Sequence, residues 1–484
     1  MSLKAKRLGG WLMVLLLSVA SRAAGGDLRL ADAVKNRDKE AVRALLKERA
    51  GVNTPQPDGA TALHWAAHWD DLETADLLIR AGAHVNAAND LGVTPLSLAC
   101  LNGNAVMVEK LLKAGANPNA ARATGETALM TAARTGNWDA VKALLARGAE
   151  VNAKETSRGQ TALMWAVAER HLEIARSLID HGSDVRATSN SGFTALMFAA
   201  REGDVEAARM LLSHGATVNE AAVDGSTPLL VATVRGHTAF AEFLLDRGAD
   251  PNADGAGYTA LHWAAGTWEA SVSGAFGVTA KSSEWSGLGG LKGQAKLEFM
   301  KVLLAHGANP NARLTKNPPR FGHSVGFTLK LAGGTPFLLA ALAGDASVMR
   351  VLAEAGADPL VATDDKMTPL VAAAGIARIV GVSLVTESSA LEAIKLAMEL
   401  GGNVNAANES GDTALHGAAY EGRDTIVQFL AEHGAKVNVK NKSGVTPLMI
   451  AEGKGPRVAA TNIFHPSTAD LLRKLGGDTE SGRD

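Results

Sequence analysis

Cysteine and tyrosine are the residues that this chain nearly lacks. Its 484 residues include one cysteine, Cys100, and two tyrosines. A single cysteine excludes an intramolecular disulfide, haem attachment through paired cysteines and a zinc site built from cysteines. Aromatic residues make up only 4% of the chain, whereas 46% of it is hydrophobic. Stability must therefore come from burial of Ala, Leu and Val, which suits close packing of helix on helix.

The chain also lacks an excess of either charge. Its 48 Lys and Arg residues oppose 50 Asp and Glu residues. Without residues 1–23, four basic groups are lost and the balance becomes 44 against 50. A mildly acidic surface of mixed charge offers no electrostatic footprint for nucleic acid. We therefore expect no nucleic-acid partner.

Motifs for catalysis and for phosphate binding are missing as well. The sequence has no glycine-rich phosphate loop with its lysine and no GxSxG nucleophile phrase. His64 and His68 stand four residues apart on one face of a predicted helix, a spacing that can hold a metal. No glutamate follows His64, as a zinc-protease motif requires. We expect no catalytic, cofactor-binding or metal-binding residue, and the protein is predicted not to be an enzyme.

The first residues resemble a secretory signal peptide. Lys4, Lys6 and Arg7 precede an apolar run over residues 8–20, and small residues follow it. The run is about 13 residues long, and a spanning helix needs roughly 20. We expect cleavage after Ala20 or Ala23, a periplasmic or secreted protein and no membrane span after cleavage. An uncleaved anchor is the alternative, whereas the lack of a cysteine in this region argues against a lipoprotein.

One short phrase, Thr-(Ala/Pro)-(Leu/Phe), recurs along the chain. It opens at residues 61, 94, 127, 161, 194, 227, 259, 335, 368, 413 and 446. The intervals are 33, 33, 34, 33, 33, 32, 76, 33, 45 and 33 residues. A fixed period near 33 means that one supersecondary unit is copied many times, so the pattern predicts a stacked array.

Residues 90–122 show what one unit contains. Thr94 stands where a hydroxyl caps the free amides of a helix, and Pro95 suits the first helical position. Gly103 breaks this helix, a second apolar helix follows, and Gly115 ends it. The unit therefore reads as turn, short helix, glycine, longer helix, glycine and turn. Neither helix is long enough to be stable alone, so each unit depends on its neighbours.

The phrases TALHWAA at 61–67, TALHWAA at 259–265 and TALHGAA at 413–419 resemble the T-P-L-H-x-A signature of ankyrin repeats. The resemblance covers roughly residues 28–478. It implies an all-α ankyrin solenoid of about 12 helix-turn-helix units with short hairpin fingers, which binds other proteins through its concave side. The motif's histidine occurs only at His64, His262 and His416, so its hydrogen-bond network should be patchy.

The phrases also predict how the chain is divided. We expect a signal peptide at 1–23, an amino-terminal cap repeat at 24–56, six regular repeats at 57–254 and an enlarged repeat at 255–334. Further repeats should fill 335–441, followed by a carboxyl-terminal cap repeat at 442–478 and a tail at 479–484. The cap repeat at 442–478 should carry about 9 extra residues.

Insertions interrupt the regular rhythm. The enlarged repeat holds two, at about 267–293 and 313–333, and a 12-residue insertion lies near 375–389. The aromatic and basic residues that could bind a partner there are Trp268, Trp285, Arg313, Arg320 and Phe321. Loops of this length are often functional. The alternative is a tolerated surface loop whose aromatics cover a neighbouring core.

Within the regular repeats, two kinds of position vary freely in polarity: the residues just before each threonine and those at the end of each first helix. The ankyrin resemblance implies that both project toward the concave side, where large aromatics and arginines are frequent hot spots. The candidate protein-binding residues are His68, Trp69, Leu91, Leu101, Arg134, Arg158, Phe193, Arg201, Arg235, Tyr258, Tyr420 and Glu421. By contrast, Trp65, Trp165 and Trp263 share one repeat position and are predicted to be core residues.

The sequence therefore favours a non-catalytic, monomeric scaffold of a bacterial cell envelope that binds one or more proteins. Two alternatives remain at this point. One is a ligand receptor or enzyme with a pocket at the insertions of the seventh and eighth motif-bearing units. The other is a protective chaperone for exported proteins.

Overall fold

The computed structural model describes residues 27–266, 291, 293–316, 331–376, 385–455 and 464–478. It divides into two compact units, Met1–Asn190 and Ser191–Asp484, and each is described by itself. Helices form the regular structure of the described ranges, which contain no β-strand beyond two isolated bridges, Ala121 with Thr127 and Ala407 with Thr413. The architecture is the predicted all-α repeat. A repeat is named below by its opening threonine.

In the first unit, the helices come in pairs that share a short turn. They are α1 Arg29–Lys35, α2 Lys39–Lys47, α3 Ala62–His68, α4 Leu72–Arg80, α5 Pro95–Asn102, α6 Ala105–Lys113, α7 Ala128–Thr135, α8 Trp138–Ala146, α9 Ala162–Ala168 and α10 Leu172–Asp180. The first pair lacks an opening threonine and lies at the start of the stack.

The second unit continues the same alternation. Its described helices are α11 Ala195–Glu202, α12 Val205–Ser213, α13 Pro228–Arg235, α14 Thr238–Leu245, α15 Ala260–Ala265, α16 Gly293–Ala305, α17 Pro336–Leu342, α18 Ala346–Glu354, α19 Pro369–Ala373, α20 Glu387–Glu399, α21 Ala414–Glu421, α22 Asp424–Glu432, α23 Pro447–Ala451 and α24 Pro466–Lys474.

Side-chain caps set the helix starts. Thr127 Oγ1 accepts a hydrogen bond from the backbone N–H of Met130 at 3.3 Å, and the other repeat threonines occupy the same position. The second helix of a pair begins at a polar residue too: Asn104 Oδ1 accepts from the N–H of Met107 at 3.0 Å. Each cap satisfies an amide that the helix leaves free, and its loss costs about 1 kcal/mol.

The core lies between successive first helices and between the two helices of each pair. Leu63, Ala66, Ala67 and Leu78 are all completely buried in the Thr61 repeat. Alanine on the facing sides of the first helices lets their backbones approach closely. Truncating a leucine such as Leu63 would remove buried contacts and leave a cavity, at about 2–5 kcal/mol.

The fingers between repeats are joined by backbone hydrogen bonds. In the first unit the N–H groups of residues 90, 123, 156 and 190 donate to the carbonyls of residues 58, 91, 124 and 158, at 2.7–3.0 Å. In the second unit residue 223 donates to 191, 364 to 332, 409 to 365 and 442 to 410. Each finger is thereby fixed to the next, in addition to the helix packing beneath it.

Asparagine side chains make a second set of bonds between repeats. Asn86 Nδ2 donates to the carbonyl of Gly115 at 3.0 Å, and its Oδ1 accepts from the N–H of Asn117 at 2.6 Å. The first unit has this arrangement at Asn53, Asn86, Asn119 and Asn152, and the second unit has it at Asn219, Asn252, Asn311, Asn405 and Asn438. Leu360 stands at the equivalent position before Gly401.

The histidine network is as patchy as predicted. His64 Nδ1 accepts from the N–H of Thr61 at 3.1 Å, and its Nε2 donates to the carbonyl of Val93 at 2.9 Å. His262 and His416 make the same pair of contacts with their own threonines and the next finger. Elsewhere a buried apolar side chain fills the slot, as Met130 and Met197 do.

Repeats that carry an insertion between their helices have altered helix lengths. Their first helices, α15, α19 and α23, have 6, 5 and 5 residues, whereas α5 and α7 have 8. The second helices α16 and α20 have 13 residues, against 9 in α6. These are the Thr259, Thr368 and Thr446 repeats, and the intact Thr335 and Thr413 repeats alternate with them.

The end of each insertion packs on the turn of the preceding repeat. Leu291 lies against Gly236, Val385 against Gly344 and His465 against Gly422. Most of the inserted residues themselves, including all of 267–290 and 317–330, lie outside the described ranges. The same holds for 377–384, for 456–463 in the last repeat, and for the expected signal peptide and tail.

Candidate functional site

Three aromatic residues that we expect on the binding face are buried, and that expectation is wrong for them. Phe193, Tyr258 and Tyr420 are 6%, 3% and 5% exposed. Phe193 lies with its ring centroid 5.8 Å from that of Phe198, on the first helix of its own repeat. Tyr258 lies 6.0 Å from Trp263 in the same way. An aromatic side chain beside the threonine folds back over its own helix because that contact removes apolar surface from water.

Glu421 is also unavailable to a partner, since its side chain is 5% exposed and its Oε2 forms a 2.7 Å ion pair with Arg423. Arg423 in turn donates to the carbonyls of Val385 at 2.7 Å and Thr386 at 3.1 Å. The pair therefore fixes the point where the chain returns from the insertion to α20. It is structural, which corrects the expectation that Glu421 faces a partner.

Two of the expected arginines are part-buried and engaged within the protein. Arg134 Nη2 donates to Glu126 at 3.2 Å and its guanidinium lies 5.1 Å from the ring centroid of Trp165. Arg201 pairs with Glu202 at 2.9 Å and lies over the ring of Phe198. Arg235 and Leu101 are half-buried as well.

Four of the expected residues are exposed: His68, Trp69, Leu91 and Arg158. Leu91 and Arg158 lie on fingers of the first unit, and Leu91 is 54% exposed. His68 and Trp69 end the first helix of the Thr61 repeat, and Trp69 is 36% exposed.

His68 and Trp69 belong to an aromatic group in the first unit, here called the tryptophan cluster, which consists of Trp65, His68 and Trp69. The ring centroids of His68 and Trp69 are 4.5 Å apart, and those of the two tryptophans are 6.4 Å apart in a stacked arrangement. Trp65 Nε1 donates to Gln56 at 2.6 Å and Trp69 Nε1 to the carbonyl of Lys35 at 3.2 Å. These bonds hold both rings in place, and Trp69 remains 36% exposed.

Two cations from the cap repeat lie on these rings. Lys35 Nζ is 5.0 Å from the ring centroid of Trp65, and the Arg37 guanidinium is 5.0 Å from that of Trp69. Burial lowers the pKa of His68 below its ordinary value, although Asp70 acts in the opposite direction. His68 is therefore neutral at pH 7, and Lys35 and Arg37 supply the positive charge beside the cluster.

The turns on either side of the cluster are strained. Arg37 and Asp70 have φ angles of 60° and 56°, in the left-handed region, where Gly103 and Gly136 stand in the following repeats. A residue other than glycine costs about 1–2 kcal/mol in this conformation. The sequence carried a signal for these turns, because the glycine of the helix-to-helix turn is replaced in Asn36-Arg37-Asp38 and in Trp69-Asp70-Asp71.

The predicted core tryptophans differ from one another. Trp263 is 1% exposed and is a core residue, as predicted. Trp65 and Trp165 are only half-buried, so the core prediction is wrong for them. The shared repeat position fixes where the side chain starts, but the depth of its burial depends on the neighbouring finger.

Of the insertion candidates, only Arg313 is among the described residues. Its Nη2 donates to the carbonyl of Ala362 and to Asp364, both at 3.2 Å, so it joins one finger to the next. Trp268, Trp285, Arg320 and Phe321 lie outside the described ranges. The first insertion is held by a residue that sequence reasoning missed. Lys296 is buried in the added turn of α16, and its Nζ donates to the carbonyls of Ala265 at 3.1 Å and Gly266 at 3.3 Å and to Asp345 at 3.2 Å.

No group of three or more metal-ligating side chains occurs within the described ranges. His64 uses both ring nitrogens inside the protein, so it is not available to bind a metal together with His68. Over the same part of the chain, no helix combines the length and the apolar character needed to cross a bilayer.

A protein family described as ankyrin repeats in three copies matches residues 21–89, 86–155, 129–222, 218–270 and 382–473. These matches cover more than half of the chain. The chain belongs to the ankyrin-repeat family. Ankyrin repeats are interaction modules that are generally not enzymes, and the matching family is not a catalytic one. Membership of this family indicates a general role in protein–protein interaction.

Curated ankyrin-containing relatives are similar over short stretches. Potassium channel AKT1 of Oryza sativa subsp. indica is 37% identical over 72 residues, which is 15% of this chain and 8% of the channel. B-cell lymphoma 3 protein homolog of Mus musculus is 36% identical over 90 residues, 17% of this chain and 20% of that protein. An ankyrin repeat-containing protein of Schizosaccharomyces pombe is 34% identical over 82 residues, 17% of this chain and 34% of its own length. The chain thus spans about a third or less of each relative.

Proposed function

We propose that this protein is a non-catalytic scaffold that binds protein partners through the first unit, with the tryptophan cluster at the centre of the binding surface. The observation that carries the proposal is the exposed ring of Trp69, held in a fixed orientation by its bond to Lys35 and its stacking on Trp65. A rigid, partly exposed tryptophan supplies a large contact area at little conformational cost, and tryptophan is enriched among interface hot spots.

Leu91 extends this surface on a neighbouring finger, where it is 54% exposed. Arg158, exposed on a later finger, adds a positive charge. Their backbone carbonyls accept the bonds from the next fingers, so both side chains start from a fixed backbone. A surface of this kind suits recognition of a partner without a large change of shape on either side.

The proposed site of action is the bacterial cell envelope, with the protein periplasmic or secreted. This part of the proposal rests on the order of charged, apolar and small residues over 1–23. Cell fractionation followed by sequencing of the mature amino terminus checks it. We expect a mature chain that starts at Ser21 or Ala24. A full-length chain recovered with the cytoplasm would contradict export.

The interaction test compares two tryptophans with equal exposure. Trp69 and Trp138 are both 36% exposed, but Trp138 begins α8 and lies outside the tryptophan cluster. Partners captured from an envelope extract by the full chain are quantified for the wild type, Trp69→Ala and Trp138→Ala. We expect Trp69→Ala to lose its specific partners by about tenfold or more, since hot-spot truncations cost about 2 kcal/mol.

The control variant Trp138→Ala should retain these partners, and circular dichroism should show that both variants are folded. If Trp69→Ala captures the same partners as the wild type, the proposed surface is wrong. Capture of many unrelated proteins, with no dependence on either variant, would indicate a chaperone instead of a dedicated scaffold.

A further inference from the structure

We infer that the tryptophan cluster binds an acidic peptide segment of the partner, in which an apolar side chain contacts Trp69 and adjacent carboxylates pair with Lys35 and Arg37. This inference rests on the proposed function and names the chemistry of the partner. It is carried by the placement of the charges around the cluster and by the strained turn that holds one of them.

The two cations beside the cluster have aromatic rings as their contacts. Lys35 lies over Trp65 and Arg37 over Trp69, each at 5.0 Å. Neither makes an ion pair with a carboxylate of the described residues, whereas the nearby Lys39 and Arg43 both pair with Glu73. A cation on a ring face keeps donors that point away from the ring. Lys35 and Arg37 can therefore donate to a carboxylate that arrives from outside.

The carboxylates around the cluster are engaged within the protein. Asp38 accepts from the N–H of Ala41 at 2.9 Å and Asp71 from that of Thr74 at 3.0 Å, so each lies at a helix N-terminus. The partial positive charge of a helix N-terminus offsets a carboxylate bound there. Asp70 accepts from Asn102 Nδ2 at 3.2 Å. These acids are thus held toward the backbone and the next repeat, and none of the three forms an ion pair with Lys35 or Arg37.

The conformation of Arg37 supports the same conclusion. Its φ of 60° lies in the left-handed region, which is strained for arginine but unstrained for glycine. Glycine would also remove the guanidinium from the ring of Trp69. Arg170 has a similar φ of 62° at the turn between α9 and α10, which lies three repeats further along the chain from the Thr61 repeat. Arg170 therefore provides a matched control for strain without a role in the cluster.

The test uses three peptide sets of equal length, with a central tryptophan or leucine flanked by Asp and Glu, by Asn and Gln, or by Lys. Their affinities for the full mature chain are measured by fluorescence anisotropy at low and high salt. We expect the acidic set to bind at least tenfold more tightly than the amide set at low salt. The difference should shrink at high salt because exposed charges are screened.

The variants assign the effect to the two cations. The double variant Lys35→Gln/Arg37→Gln should bind the acidic and amide sets alike, whereas Arg170→Gln should keep the tenfold preference. Arg37→Gly should raise the denaturant midpoint of the first unit and weaken the acidic preference. Arg170→Gly should raise that midpoint and leave the preference unchanged.

Equal binding of acidic and amide peptides by the wild type would overturn the inference. The proposed function would then still be judged by the capture experiment with Trp69→Ala, so the two failures are distinguishable. Binding to vesicles of anionic lipid that depends on Lys35 and Arg37, without any peptide preference, would also overturn it, because the cluster would then recognise a membrane surface.

Discussion

Arg423 and Glu421 form a buried ion pair at the base of an insertion. Their side chains are 10% and 5% exposed, and Arg423 Nη2 lies 2.7 Å from Glu421 Oε2. Arg423 also donates to the carbonyls of Val385 and Thr386, 38 and 37 residues away in sequence, whereas the buried Oε1 of Glu421 has no hydrogen-bond partner among the described residues. The pair therefore couples the return of the chain from the insertion to the repeat that follows it.

The first prediction concerns this pair. Arg423→Met should destabilise the Thr368 and Thr413 repeats by about 3–5 kcal/mol, because it leaves Glu421 as an uncompensated buried charge. The double variant Arg423→Met/Glu421→Leu should recover part of the loss. Hydrogen exchange of the amides in α20 and α21 measures the effect. The control is Lys113→Met, which removes an ion pair with Glu109. The side chains of this pair are 66% and 55% exposed, so the variant should leave the exchange protection of the amides in α6 nearly unchanged.

The second prediction concerns pH. Burial lowers the pKa of His262 to about 4, and the ordinary value is 6.5. The unfolded chain therefore takes up a proton between pH 6.5 and 4 that the folded chain does not, and stability falls as the pH drops through this window. The contribution of His262 to this loss is about 3 kcal/mol. His262→Met should unfold more easily than the wild type at pH 7, because its hydrogen bonds are lost, but the difference should narrow at pH 4.5.

Urea unfolding at the two pH values checks this, and His306 gives a control of opposite sign. A hydrogen bond to the carbonyl of Val302 raises the pKa of His306, with a further contribution from Asp246. The stabilisation of the folded protein by protonated His306 is complete below the ordinary pKa of histidine. It is lost as the pH rises through the pKa that His306 has in the folded protein. The difference between His306→Gln and the wild type should therefore widen as the pH falls. A pH-independent difference for His262→Met would show that His262 is not buried in the neutral form.

The third prediction is a gain of stability at Leu360. This side chain is 52% exposed at a position where most other repeats place a bridging asparagine. Leu360→Asn should add a bond to the carbonyl of Gly401 and one from the N–H of Asn403. Each such hydrogen bond contributes about 0.5–1.5 kcal/mol net. The denaturant midpoint of the second unit should rise for Leu360→Asn but not for Leu360→Ala, and an equal rise in both would show that removal of an exposed apolar group is the cause.

The fourth prediction concerns Cys100, which is fully buried and whose pKa burial raises to about 12. The thiolate is the reactive form, so a thiol reagent at pH 8 should not label the native protein but should label it fully in denaturant. In a Cys100→Ala background, Val223→Cys at a position that is 82% exposed should label at once. Rapid labelling of native Cys100 would mean that α5 opens readily.

Much of the fold could be predicted from the sequence because its causes are local. Thr127 caps its helix through a residue three positions away, and Gly136 has the φ of 76° that the following turn requires. The anchoring of the insertions could not be predicted, since Lys296 meets Asp345 across 49 residues. No local pattern connects such residues, and a buried lysine looks in sequence like an exposed one.

The residues of the binding face are harder to predict from the sequence than the fold. Leu91 and Tyr258 are both candidates just before an opening threonine, yet one is 54% exposed and the other 3%. Polarity shows that a side chain is not required in the core, but it does not show to which side a short loop turns that side chain. The strain at Arg37 is likewise a property of the backbone that the residue type does not display, except through the absence of glycine.

The alternation of modified and intact repeats limits how many repeats of the second unit can carry an insertion. Each insertion ends against a bare glycine turn in the repeat before it, as Val385 does at Gly344 and His465 at Gly422. A repeat whose own helix-to-helix turn is replaced by an insertion has no such glycine for an insertion in the next repeat to pack against. New loops can therefore be exchanged or lengthened at every second repeat without disturbing the stack, whereas two in succession would leave the later one without support.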